Sequence, residues 1–136
     1  RRDHAARWCD MVCAPDAFEA ATDKADILIE ASGVLANVTR AIPRLRARGR
    51  VVLLARSGEP LVIDHVDHMI SELITIMGCR GHLGGYLDQI LSFYAAGRFP
   101  LSAVITSVHS GIDKLKALLS EPEQISRRDC KILVRL

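Results

Sequence analysis

The sequence predicts an α/β domain built on a parallel sheet, and three observations support this class. Short apolar runs alternate with amphipathic stretches along the chain. One run, RVVLLA at residues 50–55, is continuously apolar after Arg50 rather than alternating, which is typical of a strand covered on both faces. Aromatic residues make up only 4% of the 136 residues, so the core must consist of aliphatic side chains, as expected for helices packed on a buried sheet.

Composition excludes several classes of protein. Apolar residues make up 49% of the chain and charged residues 25%, as in one ordinary globular domain. The 18 basic and 16 acidic residues are mixed along the chain and give a net charge of +2, without the basic stripe that a nucleic acid would need. No segment has the roughly 20 apolar residues of a membrane span. We therefore expect neither a nucleic-acid nor a membrane partner.

The cysteines and the first residues bear on the cellular context. The four cysteines include no Cys-x-x-Cys pair and no companion histidine at zinc-finger spacing, which favours reduced thiols in a cytoplasmic protein. The chain begins without Met, inside the polar stretch RDHAARW. We therefore expect Arg1 to be a cut end.

The first half of the chain predicts two strands and two helices. Residues 11–14 (MVCA) and 26–31 (DILIEA) are short strand candidates, with a small helix opening at Pro15 between them. A longer helix follows, in which Pro43 should bend or shorten the helix and Gly49 should end it. Its apolar face comprises Leu35, Val38, Ile42 and Leu45.

After the run at residues 50–55, the sequence predicts another helix and strand. Asp64 is the expected N-cap, with Asp67 in the first turn. Together with His65 and His68 these residues also raise the possibility of a metal site, because histidines at i and i+3 share a helix face. Capping is the favoured role, and no metal ligand is assigned. The strand begins at Leu73 with LITIMGCRG.

The last third predicts a helix, a strand, a helix and a strand. Gly84 and Gly85 precede a helix that Gly97 ends and whose apolar stripe is Leu87, Ile90, Leu91 and Tyr94. A strand is predicted at residues 104–108. Ser110 and Asp113 then open a helix, and CKILVRL closes the chain as a strand.

The order of these motifs resembles the medium-chain dehydrogenase family, most of all its sorbitol- and threonine-type members. The resemblance lies in DILIEASGVLANVTRAIPRLRARGRVVLLARSGEPLVID, then ELITIMGCRG, PLSAVITS and KILVRL. It implies an incomplete doubly wound Rossmann-type parallel sheet holding strands 3 to 6 of the family. Residues 1–103 would form a partial dinucleotide-binding domain, and residues 104–136 a C-terminal tail that joins the missing catalytic domain.

The resemblance also implies an activity. The parent protein would oxidise a secondary alcohol or polyol by hydride transfer to NAD or NADP, assisted by zinc in the missing domain. The family's Gly-x-Gly-x-x-Gly turn would lie before Arg1, so this chain alone should be inactive and no catalytic residue is assigned. Two alternatives remain open: a zinc-free quinone-reductase-like relative and a non-catalytic assembly or interaction module. The choice between NAD and NADP also stays open.

Several residues match positions of the family's cofactor bed. Residues 54–56 match the strand end under the nicotinamide ribose, and residues 79–81 match a segment whose backbone meets the carboxamide. Lys131 matches a cation near the pyrophosphate, and residues 32–33 lie near the expected adenine. Core packing, solvated charges and an ordinary turn are the alternative interpretations. The candidate residues are Ser32, Gly33, Leu54, Ala55, Arg56, Cys79, Arg80, Gly81 and Lys131.

The strand from Leu73 to Arg80 should form the outer edge of the sheet, because no later strand of the nucleotide domain extends beyond it. An open edge pairs readily with another chain. Members of the family join two such edges across a two-fold axis. The resemblance therefore implies a homo-oligomer in which residues 74–79 pair antiparallel with the same residues of a second copy.

Overall fold

The computed structural model describes residues 2–21, 24–80, 85–98, 100–121 and 129–136. The chain divides into two compact units. One unit consists of residues 13–83, and the other consists of residues 1–12 together with residues 84–136.

A parallel sheet of three strands forms the centre of the unit at residues 13–83. Strands β1 (Ala25–Glu30), β2 (Leu45–Leu53) and β3 (Thr75–Gly78) lie in the order β1-β2-β3. The α/β class and the parallel sheet are confirmed. The predicted strand at residues 11–14 is wrong, since these residues are irregular and pair with no strand of the described chain. An extended segment needs a neighbour for its backbone N–H and C=O groups before it becomes a strand.

Strand β2 contains an irregular section where it pairs with β1. Ala25 pairs with Leu45, but Ile27 pairs with Arg50, so residues 46–49 leave the regular ladder. Arg48 has a φ of 64°, which a non-glycine residue rarely adopts. The predicted helix end at Gly49 is therefore wrong, because the chain is already extended at Leu45.

Three short helices belong to the same unit: α2 (Phe18–Ala21), α3 (Ala36–Ala41) and α4 (Val66–Ser71). A 3₁₀ turn at Ile42–Arg44 follows α3. The expected shortening at Pro43 is confirmed, because α3 stops just before this turn. Asp64 is not the N-cap of α4. That position belongs to His65, which makes no side-chain capping bond.

The core lies on one face of this sheet. Its members come from α3, the turn after it and β2: Leu35, Val38, Ala41, Ile42, Leu45 and Val51. The predicted apolar helix face is thus buried. The opposite face of the sheet stays open, because Ile27, Ile29 and Met77 are exposed there. Register aligns Ile29, Val52 and Met77 in one row across the three strands.

The other unit contains α1 (Arg2–Ala5), α5 (Tyr86–Ala95), a 3₁₀ turn at Leu101–Val104, β4 (Ile105–Ser110), α6 (Ile112–Ser120) and β5 (Lys131–Arg135). Strands β4 and β5 form a second, two-stranded parallel sheet. The N-cap of α6 is Gly111, so the predicted capping role of Ser110 is wrong. None of the described residues of this unit is buried. Among the helices of the described chain, none is long and apolar enough to cross a membrane.

Candidate functional site

The three strands of the larger sheet end level with one another. Glu30 pairs with Leu53, and Leu53 pairs with Gly78, so the carboxyl ends of β1, β2 and β3 meet at one edge. The residues that follow these ends, 32–33, 54–56 and 79–80, are called the carboxyl edge below. In open parallel sheets, ligands bind at this end of the strands. The structure thus brings seven of the nine predicted residues to one side of the sheet.

Backbone hydrogen bonds hold the three strand ends together. The N–H groups of Leu54 and Ala55 both donate to the carbonyl oxygen of Glu30, at 2.8 and 3.3 Å. The N–H group of Cys79 donates to the carbonyl oxygen of Leu53 at 2.9 Å. The turns at the carboxyl edge are therefore extensions of the strand ladder rather than free loops.

Gly33 allows the turn after β1 to approach the turn after β2. Its φ is 80°, in the region that favours glycine. A Cβ atom at this position would lie 3.1 Å from the carbonyl oxygen of Arg56 and 3.9 Å from the Cβ atom of Ala55. A side chain here would meet both a strained backbone and a close neighbour, so only glycine fits without a shift.

Glu30 is a buried carboxylate beneath the first of these turns, with only 5% of its surface exposed. Its Oε1 atom accepts hydrogen bonds from the hydroxyl of Ser32 at 2.6 Å, the N–H of Ser32 at 2.6 Å and the N–H of Gly33 at 2.8 Å. The hydroxyl of Ser32 foremost, then the two N–H groups, hold the pKa of Glu30 below its ordinary value, although burial acts in the opposite direction. Its Oε2 atom is buried and has no partner among the described residues.

Sequence reasoning missed Glu30. The available signal was a charged residue that follows the apolar run Ile27–Ile29 and lies two residues before the Ser32-Gly33 pair. A carboxylate at that place in a buried strand needs donors close by, because an unpaired buried charge is costly. The following turn supplies them.

This arrangement affects what the turn after β1 can bind. The N–H groups of Ser32 and Gly33 already donate to Glu30, and the N–H of Val34 donates to the Ser32 hydroxyl at 3.2 Å. An anion bound at a turn relies on such N–H groups. The turn is thus suited to an uncharged group rather than to a phosphate.

The remaining predicted residues differ in their surroundings. Arg56, Cys79 and Arg80 have exposed side chains, and 43% of the surface of Leu54 is exposed. The carboxyl edge therefore presents two cations and one apolar side chain to the solvent. Gly81 lies outside the described residues. Lys131 is the first residue of β5 in the other unit, where its side chain is exposed and its carbonyl oxygen accepts the Thr106 hydroxyl at 3.3 Å.

A search of the described residues for metal ligands finds no group of three or more His, Cys, Asp or Glu side chains. His65 and His68 thus belong to no such group in this part of the chain. The cysteines are all free thiols.

Comparison with known proteins identifies similar solved structures, whereas no protein-family model and no curated protein matches. One is described as a short-chain alcohol dehydrogenase of Escherichia coli CFT073, in complex with NADH, with 17% identity, a TM-score of 0.73 and 89% of this chain covered. Another is 2R,3R-butanediol dehydrogenase of Bacillus subtilis, with 23% identity, a TM-score of 0.67 and 96% covered. A third is a putative zinc-binding dehydrogenase of Sinorhizobium meliloti bound to NADP, with 21% identity, a TM-score of 0.71 and 86% covered.

The match takes in only part of each of these proteins. It covers 35%, 36% and 33% of their respective chains. These identities are low, so the likeness concerns the fold. The chain therefore has a partial Rossmann-type α/β fold, and it shares this fold with alcohol dehydrogenases.

Proposed function

We propose that this chain is the nucleotide-binding part of a zinc-dependent medium-chain dehydrogenase that oxidises a secondary alcohol or polyol by hydride transfer to NAD or NADP. The observation that carries the proposal is the carboxyl edge. Three parallel strands end in register there, and backbone hydrogen bonds join each following turn to the neighbouring strand end. The similar structures in complex with NADH and with NADP support it. The proposed division into residues 1–103 and 104–136 rests on the family resemblance, and it differs from the two compact units, which group residues 84–103 with residues 104–136.

Each part of the carboxyl edge suits a different part of a dinucleotide. The turn after β1 has its N–H groups in use, which favours the uncharged adenosine portion. The small side chain of Ala55 would allow the nicotinamide ribose to approach the backbone of residues 54–56. Backbone groups of residues 79 and 80 would meet the carboxamide. Gly81, beside them in sequence, and Lys131, as a cation for the pyrophosphate, are proposed from the family resemblance alone. These roles assign all nine predicted residues to cofactor binding.

Zinc and the proton relay are proposed to belong to residues outside this chain. The described residues hold no group of three candidate ligands, so the donor set of this part of the chain does not fit a zinc ion. The chemistry that zinc supplies in such an enzyme is polarisation of the alcohol oxygen. This chain's own contribution is to bind and orient the cofactor.

We expect the chain alone to bind the dinucleotide weakly and to show no turnover. The family's glycine turn supplies backbone N–H donors to the pyrophosphate, and hydrogen bonds to charged groups contribute about 1.5 to 3 kcal/mol each. Without two of these hydrogen bonds, a dissociation constant in the micromolar range rises to about 1 mM.

An amide NMR titration with NAD and with NADP measures this binding. The expected result is a Kd on the order of 1 mM, with the largest shifts at residues 32–33, 54–56 and 79–80. Low-micromolar binding would show that the phosphates contact groups other than those proposed. An absence of shifts at the carboxyl edge in millimolar dinucleotide would contradict the proposed function itself.

We also propose that β3 joins two copies of this chain edge to edge. The N–H of Cys79 points toward β2, and N–H directions alternate along a parallel strand. The N–H groups of Ile76 and Gly78 therefore point away from β2. At this edge of the described sheet they offer donors to another strand.

Replacing Gly78 by Pro should weaken self-association at least about tenfold, because it removes one outward donor and blocks close approach. Because the Gly78 N–H points away from β2 and a Cβ atom there meets nothing within 4 Å, the pairing of β3 with β2 should persist. Sedimentation equilibrium measures the association constant, and circular dichroism serves as the folding control. An unchanged dimer would exclude residues 74–79 as the interface.

A further inference from the structure

We infer that Glu30 is a positioning residue for cofactor binding: it fixes the turn after β1 and the turn after β2 in one mutual arrangement. The inference rests on the proposed function and deepens it. Glu30 itself does not contact the ligand, because its carboxylate is buried below the turn.

A single residue reaches both turns, through different groups. The side-chain carboxylate of Glu30 holds the turn at Ser32 and Gly33 through three short hydrogen bonds. The backbone carbonyl of Glu30 holds the turn at Leu54 and Ala55 through two more. The geometry of the first turn therefore depends on the Glu30 side chain, whereas that of the second turn depends on the Glu30 backbone.

The contact at Gly33 joins the two turns. A Cβ atom there would lie 3.1 Å from the carbonyl oxygen of Arg56, which shows how closely the turns approach. If Ser32 and Gly33 lost their acceptor, their part-buried N–H groups would turn toward other partners, including water, since backbone donors rarely stay unpaired. Residues 54–56, which are proposed to lie under the nicotinamide ribose, would then lose their support on one side.

Two variants of Glu30 with similar shape distinguish the effect of the hydrogen-bond acceptor from the effect of side-chain packing. Glu30→Gln keeps the side-chain length and one carbonyl oxygen that can accept from Ser32 and Gly33. Glu30→Met keeps the length but has no comparable acceptor. We expect the Kd for NAD, measured by amide NMR titration, to stay within about threefold of the unsubstituted chain for Glu30→Gln and to rise roughly tenfold or more for Glu30→Met.

The exposed Glu59, in the same unit, provides the matched control. Glu59→Gln and Glu59→Met make the same chemical changes away from the buried network and should leave the Kd unchanged. Equal affinities for Glu30→Gln and Glu30→Met would overturn the positioning role. If both variants lose affinity equally, the charge of Glu30 matters rather than its acceptor oxygen; if neither loses affinity, the acceptor has no effect on binding.

A pH titration of the unsubstituted chain tests the same contacts even if Glu30→Met does not fold. The amide resonances of Ser32 and Gly33 should follow protonation of Glu30, with a midpoint below the ordinary 4.5 of a glutamate. If Glu30 only filled space, its protonation would not change the amide resonances of Ser32 and Gly33. Amides that do not move with Glu30 would overturn the inference.

The two possible failures are distinguishable. If the unsubstituted chain shows no NAD-induced shifts at the carboxyl edge, the proposed function fails, whatever the pH titration shows. If NAD binds there and Glu30→Met binds equally well, only the positioning role fails.

Discussion

Replacing Ile42 by Ala is expected to lower the free energy of unfolding by about 2 to 5 kcal/mol. Ile42 is fully buried, with 0% of its surface exposed, and belongs to a cluster that includes Leu35, Val38, Leu45 and Val51. Truncation removes apolar area from this cluster and leaves a cavity. Since total stabilities are only about 5 to 15 kcal/mol, much of the folded population should be lost on mild heating.

The same substitution at Ile70 is the matched control, because 68% of the Ile70 surface is exposed. Exposed substitutions of this kind usually change stability by less than about 0.5 kcal/mol. Urea unfolding followed by circular dichroism measures both variants. Similar midpoints for the two variants would contradict the assignment of the core to α3, the turn after it and β2.

Gly33→Val is expected to destabilise the chain by about 2 to 4 kcal/mol and to abolish the dinucleotide-induced shifts at residues 54–56. A β-branched residue at a φ of 80° is a strong outlier. Its Cβ atom would also start 3.1 Å from the carbonyl oxygen of Arg56. The turn must therefore move, and it should carry the neighbouring turn with it.

Gly58→Val provides the comparison for this variant. Gly58 lies in the same unit, and a Cβ atom there meets nothing within 4 Å. We expect a change in unfolding free energy below about 0.5 kcal/mol and unaltered NAD shifts. If thermal melts of the two variants coincide, the close approach at Gly33 has no energetic importance.

Local sequence predicts much of the fold. The predictions fail where contacts between residues distant in the sequence determine the structure. The run at residues 26–31 and the apolar face of α3 were predictable, because burial selects apolar residues at those periods. Leu45 was assigned to a helix, but pairing with Ala25 and burial in the core place it in β2. Residues 11–14 have strand-like composition but no neighbouring strand in the described chain to pair with.

The candidate site was predictable only in part, for a similar reason. The motifs of the family that the sequence resembles indicate that Ser32, Gly33 and residues 54–56 follow strand ends, and the register of the sheet brings these ends together. The charge of Glu30 after an apolar run was a visible signal, but the hydrogen bonds of its carboxylate were not predictable, because they depend on the path of a turn that folds back over it. Composition and periodicity carry no information on such a path.

The unit with β4 and β5 has no buried residue in its described part, so it should unfold locally more readily than the larger sheet. Segments with few buried apolar contacts open at a small fraction of the global unfolding free energy. A protease should therefore cut first in the described segments of residues 84–136, and amide hydrogens there should exchange with solvent before those of β2. The sheet that carries the carboxyl edge should be the last part of the chain to open.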